Sequence, residues 1–171
     1  MIDFKEVYIV DANVLIDYLK TDISILTIYS KEIGQIYVPT DVLEKVKQLE
    51  TGECDRLNLE IVEPTTEQYL EAAPKIRGLS FDDRVCFILA RDNKWYCISN
   101  DIQLRVICEE NGISVLWGLE LMLPLVERKL IEPTEILQVA KDIHESNPLF
   151  VNKTILKRFE GKVSKIIKKK S

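Results

Sequence analysis

Short hydrophobic runs alternate with helical stretches along this chain, and that alternation limits its fold more than any other feature. The β-rich runs cover residues 7–10, 35–38, 95–98 and 113–116, and an alternating stretch over 57–62 predicts an edge strand. Between them lie helical segments, among them a helix over about residues 41–49. Residues 81–92 are apolar on nearly every face and predict a buried helix. Strands that alternate with helices predict an α/β fold whose central, mostly parallel sheet is covered on both faces.

The character of the chain changes after Pro124, where only helical patterns follow. We therefore expect a main domain over residues 1–123 and a helical C-terminal extension over 124–171. Two apolar stripes in the extension predict packing onto the sheet domain. Residues 151–171 hold eight lysines and arginines against one acid, a charge of +7, so the other 150 residues must carry −12 to give the net −5.

Several classes of enzyme are disfavoured by composition. The four cysteines are too few and too scattered for a disulfide framework, and because they form no CxxC pair they argue against a zinc site. With His144 as the single histidine, a Ser-His-Asp or Cys-His enzyme would depend on that one residue. No phosphate-binding glycine loop occurs. No apolar run approaches the roughly 20 residues of a membrane span, so we expect a cytoplasmic protein with reduced thiols and no membrane partner.

Four acids occupy positions near the starts of helices. Asp11 ends the first strand, Glu44 follows the second, Asp83 opens the buried helix and Asp101 follows the strand over 95–98. In a parallel sheet the strand-to-helix junctions share the carboxyl edge, where ligands bind. The acids should therefore converge there, although no clear strand precedes Asp83. No lysine or arginine is adjacent to Asp11 or Asp101 in the sequence. A cluster of unpaired carboxylates is an all-oxygen site that suits Mg²⁺ or Mn²⁺.

Helix capping is the alternative explanation for each acid. Ser80 with Asp83, and Asp41 with Glu44, have the spacing of capping boxes. Asp11 and Asp101 are suitable N-caps. Capping alone does not explain why Asp11 directly follows four apolar residues, because a carboxylate there should be largely buried and a lone buried charge is costly.

The segments around these acids resemble the four motifs of PIN-domain nucleases. They read VYIVDANVLIDYL, VPTDVLEKV, LSFDDRVCFILA and ISNDIQLRVICEENGISV, in the family's order and at its spacings over about residues 5–118. The C-terminal segment is similar to the last helices of small prokaryotic PIN proteins. The resemblance implies a PIN-like three-layer fold and metal-dependent hydrolysis of RNA phosphodiester bonds. It assigns Asp11, Asp83 and Asp101 as direct ligands of Mg²⁺ or Mn²⁺, with Glu44 as a ligand or as the orienter of a bound water.

Supporting residues follow from the same resemblance. Asn13 would orient Asp11, with a helix-start amide bonded to the backbone as the equal alternative, and Ser99 would add a hydroxyl. Asp83 is chosen over Asp82 because it stands seven residues before Ala90. Position 100 is asparagine where many relatives have a second aspartate, which lowers the charge of the site by one.

RNA is the expected partner, and we expect the basic tail to contact it through Lys153, Lys157, Arg158 and Lys162. A solvated, frayed lysine end is the alternative. Many small PIN proteins are toxins of toxin–antitoxin pairs and are dimers, so an antitoxin protein and a second copy of the chain are further candidate partners. Two other functions stay open: an RNA- or ribonucleoprotein-binding module with little catalysis, against which the four intact acids argue, and a phosphohydrolase of small phosphates, which ranks last.

Overall fold

One sheet of five parallel strands organises the protein, for which the computed structural model describes residues 5–76 and 78–171. The strand order is β3–β2–β1–β4–β5. The strands are β1 (Val7–Val10), β2 (Gln35–Pro39), β3 (Glu60–Val62), β4 (Tyr96–Ile98) and β5 (Val115–Leu116). The predicted α/β class with a parallel sheet is therefore confirmed, and the stretch over 57–62 does supply an edge strand.

Ten α-helices and one 3-10 helix surround the sheet in the described residues. They are α1 (Ala12–Lys20), α2 (Ser24–Glu32), α3 (Thr40–Lys45), α4 (Thr51–Arg56), α5 (Thr66–Ala72), α6 (Phe81–Asn93), α7 (Ile102–Glu110), the 3-10 helix Gly118–Met122, α8 (Leu123–Glu127), α9 (Pro133–Ser146) and α10 (Lys153–Lys170). No helix in the ranges 5–76 and 78–171 has the length and apolar content needed to cross a bilayer.

The central strand β1 is the point at which the sheet reverses its order. The chain proceeds outward from β1 through β2 to β3, and then returns to place β4 and β5 on the other side. Ile9 pairs with Tyr37 of β2 on one side and with Cys97 of β4 on the other. A reversal of this kind opens a crevice at the carboxyl ends of the two strands that flank it. Here the crevice lies at the carboxyl ends of β1 and β4, which end at Val10 and Ile98. Asp11 and Asp101 lie in the segments that follow these two strands.

The C-terminal helices pack into the same core as the sheet. Helix α9 contacts both α1 and α10, and the buried residues of α9 and α10 belong to one hydrophobic cluster with the strands. The two apolar stripes of the extension are therefore packing surfaces, as their periodicity indicated. The division into residues 1–123 and 124–171 stays a prediction.

The segment after β2 differs from expectation. A single helix over residues 41–49 was the prediction, but α3 ends at Lys45 and a second helix starts at Thr51. Val46 leaves the helical region with a ψ of 85°, which interrupts the backbone hydrogen bonding. The capping box between Asp41 and Glu44 is also absent, because α3 begins at Thr40 with Pro39 as its cap. The Asp41 carboxylate instead accepts a hydrogen bond from the Tyr69 hydroxyl.

Candidate functional site

Asp11 stands at the bottom of the crevice and is only 3% exposed. Its backbone N–H donates to the Ile98 carbonyl, which continues the pairing of β1 with β4. One carboxylate oxygen accepts from the Val14 N–H at 2.9 Å and so caps α1. The other accepts a hydrogen bond from the Ser99 hydroxyl. Both oxygens are thus held by neutral donors, and the carboxylate makes no ion pair in the described part of the chain.

The pKa of Asp11 is raised from 3.8 to about 7. Burial is the largest cause, since it removes water from the charged form. The hydrogen bonds from Ser99 and Val14 work in the opposite direction, and the negative charges of Asp83 and Asp101 raise the pKa further. Asp83 and Asp101 therefore lie close enough to Asp11 for their charges to act on its carboxylate. With a pKa of about 7, a substantial fraction of the Asp11 side chains is protonated near neutral pH.

Ser99 connects Asp11 to the start of α7. Its hydroxyl donates to Asp11 and accepts the backbone N–H of Asp101 at 2.9 Å. Asp101 is the N-cap of α7, where one carboxylate oxygen accepts the Leu104 N–H at 3.0 Å. The Ser-x-Asp sequence thus fixes two carboxylates relative to each other through one hydroxyl.

Asp83 and Asp82 lie in the first turn of α6 but have different partners. Asp83 forms a capping box with Ser80, whose N–H and hydroxyl donate to one carboxylate oxygen at 2.9 and 2.7 Å. Asp82 is buried and pairs with Lys45 of α3. The charge of Asp83 acts on Asp11, whereas that of Asp82 is offset by a lysine. The choice of Asp83 as the ligand stays a prediction, and this pairing supports it.

Glu44 and Asn13 are exposed on α3 and α1. In residues 5–76 and 78–171 neither side chain makes a hydrogen bond or an ion pair. The Ser99 hydroxyl holds one oxygen of the Asp11 carboxylate. The predicted roles of Glu44 and Asn13 are not tested by these contacts.

The donor set suits a hard divalent cation by its chemistry, since it consists of carboxylate oxygens. However, within the described ranges no three histidine, cysteine, aspartate or glutamate side chains lie close enough together to hold a metal ion. Mg²⁺ usually keeps several waters and needs only one or two protein carboxylates. A magnesium site at this crevice would therefore not require three direct protein ligands.

Asn100 has a role that the sequence did not reveal. Its side chain is buried and accepts the Gly118 N–H at 2.9 Å, which ties the end of β4 to the 3-10 helix. On the other side of Gly118, the Tyr18 hydroxyl donates to its carbonyl at 2.6 Å. No local signal announces this pairing, because Asn100 and Gly118 are 18 residues apart.

The basic tail forms α10, and its four predicted RNA-contacting residues fall into two groups. Lys153, Lys157 and Arg158 are exposed. Lys162 pairs with Glu120 of the 3-10 helix and is not free to serve a ligand without breaking that pair. Lys170 does not belong to a frayed, solvated end, because its ammonium donates to the Val126 and Glu127 carbonyls at 2.7 and 2.6 Å.

Comparison with known proteins supports the fold. No protein-family model matches the chain, and no curated protein matches its sequence. Among solved structures, a PilT N-terminus (PIN) domain protein from the hyperthermophilic archaeon Sulfolobus solfataricus is similar, with a TM-score of 0.51 and 10% identity. The match covers 68% of this chain and 90% of that protein. The chain therefore has a PIN-like α/β fold.

Proposed function

We propose that this protein is a metal-dependent nuclease that hydrolyses RNA phosphodiester bonds at the crevice between β1 and β4. The observation that carries the proposal is the buried Asp11 carboxylate, which has no basic partner in the described residues while two further aspartates act on it. Such a group is costly to keep charged unless a cation binds beside it. The PIN-like fold adds support, since the fold is one that generally serves nucleases.

Mg²⁺ or Mn²⁺ would be held by Asp11, Asp83 and Asp101, directly or through water. When bound, the metal would lower the pKa of a water and stabilise negative charge on the phosphate. Ser99 holds the Asp11 carboxylate in place from below. Glu44, from the exposed face of α3, would complete the set as a further ligand or as the orienter of a water.

The choice of RNA, and the toxin role with an antitoxin partner or a second copy of the chain, rests on the family resemblance alone. Exposed basic residues on α10, among them Lys157 and Arg158, favour a second candidate, an RNA- or ribonucleoprotein-binding module without catalysis. They supply positive charge for phosphates without needing a metal. The two functions differ in whether bound RNA is cut.

The neighbouring residues Asp82 and Asp83 offer a matched pair of variants with which the proposed nuclease activity can be tested. Labelled single-stranded RNA and a nucleoside monophosphate are incubated with Mn²⁺ or Mg²⁺ and with wild type, Asp83→Asn or Asp82→Asn. The amide preserves the acceptor that Ser80 needs, so Asp83→Asn removes charge but not the cap. We expect wild type to cut only the RNA, Asp83→Asn to lose this activity and Asp82→Asn to keep most of it.

Other outcomes would change the assignment. Loss in Asp82→Asn with retention in Asp83→Asn would move the ligand one residue upstream. Binding without cleavage by every variant would establish the binding module instead. Release of phosphate from the monophosphate would indicate a phosphohydrolase.

A further inference from the structure

A groove between α7 and α10 begins beside Asp101. It has a volume of about 570 Å³. On the α7 side it is lined by Ile102, Arg105 and Val106, and at the start of α10 by Asn152, Thr154, Ile155 and Arg158. A second cavity of about 270 Å³ adjoins it and reaches Asn100 and Asp101. The two cavities share Ile102, Trp117, Asn152 and Ile155 as lining residues. The groove therefore leads directly to the acid site, with the Trp117 indole in its wall.

Two guanidinium groups flank Trp117. The Arg105 guanidinium lies 3.7 Å from the ring centroid and that of Arg158 lies 5.9 Å away. Arg105 is only 9% exposed, donates to the Ser99 carbonyl, and has its carboxylate partner, Glu109, at 4.0 Å. Arg158 makes no ion pair within residues 5–76 and 78–171. The groove thus carries positive charge that its own acid only partly offsets.

Several of the other lining residues are apolar and open to solvent. Ile102 is 65% exposed and Leu149, in the second cavity with Phe150, is 90% exposed. Apolar and aromatic faces combined with guanidinium groups are what unpaired bases and their phosphates require. A paired duplex keeps its base faces stacked inside and could not use such a surface.

We propose that this groove, called the Trp117 groove below, binds the unpaired bases of a single-stranded nucleic acid whose phosphate chain passes Asp101. The inference builds on the proposed function, because it assigns the part of the substrate next to the bond that would be cut. A protein partner would also cover apolar residues, but it would not account for two guanidinium groups beside one indole, of which that of Arg158 makes no ion pair in the described residues.

Exposed basic residues along α10 indicate the path by which the nucleic-acid strand would leave the groove. Residues 7 and 11 positions after Arg158 return to nearly the same side of a helix, and these are Lys165 and Lys169. Both are exposed. The strand would therefore leave the groove along Arg158, Lys165 and Lys169, and not along Lys162, which Glu120 holds.

Intrinsic fluorescence gives a local test, because the chain has only two tryptophans. Trp95 stacks on Tyr37 with ring centroids 4.5 Å apart. It directly precedes the first residue of β4, whereas the groove begins beyond the carboxyl end of that strand. Trp95→Phe therefore leaves Trp117 as the reporter, and Trp117→Phe leaves Trp95 as the matched control. Each variant is titrated in EDTA with an oligouridylate of about 12 nucleotides, within the range of known single-strand sites.

We expect a saturable change in the fluorescence of Trp95→Phe and none in that of Trp117→Phe. Addition of the complementary oligoadenylate should abolish the change by pairing the bases. In a salt series Arg158→Glu should make the slope of log affinity against log salt shallower by about 0.7 for each lost phosphate contact. Lys141→Glu, the same charge change at an exposed position on α9 outside the groove, should leave the slope as in wild type.

Three results would overturn the inference. The first is binding by anisotropy without a change at Trp117, which would place the strand elsewhere. The second is an equal response to the duplex. The third is a Trp117 signal that depends on protein concentration without oligonucleotide, which would make the groove an interface between copies. None of these readouts depends on hydrolysis. A protein that binds the oligonucleotide in the groove but never cuts RNA would therefore refute the proposed nuclease activity without refuting the proposed binding groove.

Discussion

Replacement of Asp11 by asparagine should make the metal-free protein more stable, even though it removes a residue proposed to be essential. The carboxylate has a pKa of about 7 in the folded protein against 3.8 ordinarily. That difference corresponds to about 4 kcal/mol by which the charged form disfavours folding. The asparagine oxygen can still accept the Val14 N–H. Its amide N–H can donate to Ser99, whose hydroxyl would turn from donor to acceptor.

The sign of the pH dependence follows from the direction of the shift. Because the folded pKa is raised, the unfolded chain loses this proton first, and stability falls as pH rises from about 3.8 to about 7. Below that window Asp11 is protonated in both states and the substitution should change little. Above it we expect a gain of about 1 to 3 kcal/mol, less than the full 4 because a buried amide also costs desolvation energy.

Urea unfolding at pH 4, 6 and 8 measures the effect through the midpoint at constant m-value. Asp55→Asn is the matched control, because Asp55 is exposed and its side chain makes no hydrogen bond in the described residues. A loss of stability at pH 8 would show that Asp11 is needed as a charged cap, and a gain that does not vary with pH would show that burial does not raise its pKa. Either result would refute the reasoning.

Two further predictions concern residues around the site. Asp17 on α1 is buried with one carboxylate oxygen unpaired and the other accepting from Asn147 at 2.9 Å, and burial raises its pKa from 3.8 to about 6. Asp17→Asn should therefore stabilise the protein above pH 6, by at most about 3 kcal/mol, and the gain should disappear below pH 4 in urea unfolding. Gly118→Ala would place a Cβ 3.0 Å from the Asn100 amide nitrogen and 3.2 Å from Val14. We expect it to lower the unfolding free energy by about 1–3 kcal/mol, and an unchanged urea midpoint would show that Asn100 moves aside freely.

The sequence predicted those parts of the fold that local pattern controls. The apolar runs marked the strands, and the four apolar residues before Asp11 indicated a buried carboxylate, which the structure confirms. Strand-to-helix junctions of a parallel sheet share one edge, so the approach of Asp101 to Asp11 was also predictable. The break at Val46 was not, because nothing local separates it from a continued helix.

Contacts between distant segments were beyond prediction. The Asp17–Asn147 hydrogen bond joins residues 130 apart, and no periodicity of α1 points to the end of α9. The stacking of Arg105 on Trp117 likewise depends on how α7 meets the residue after β5. The Trp117 groove exists only because α10 returns to lie opposite α7, and the apolar stripe of α10 indicated packing but not its neighbour.

Capping and metal binding need not compete for the same acids. Asp83 and Asp101 each use one carboxylate oxygen as a cap, through Ser80 and Leu104, and the second oxygen of each makes no hydrogen bond in the described residues. Both carboxylate oxygens of Asp11 accept hydrogen bonds from neutral donors, which hold the side chain in place without cancelling its charge. All three acids lie in the first turn or cap of a helix, where the positive end of the dipole offsets part of their mutual repulsion. The caps are therefore the means by which three like charges can share one crevice, and a substitution that keeps the cap while removing the charge is the one that isolates their chemical role.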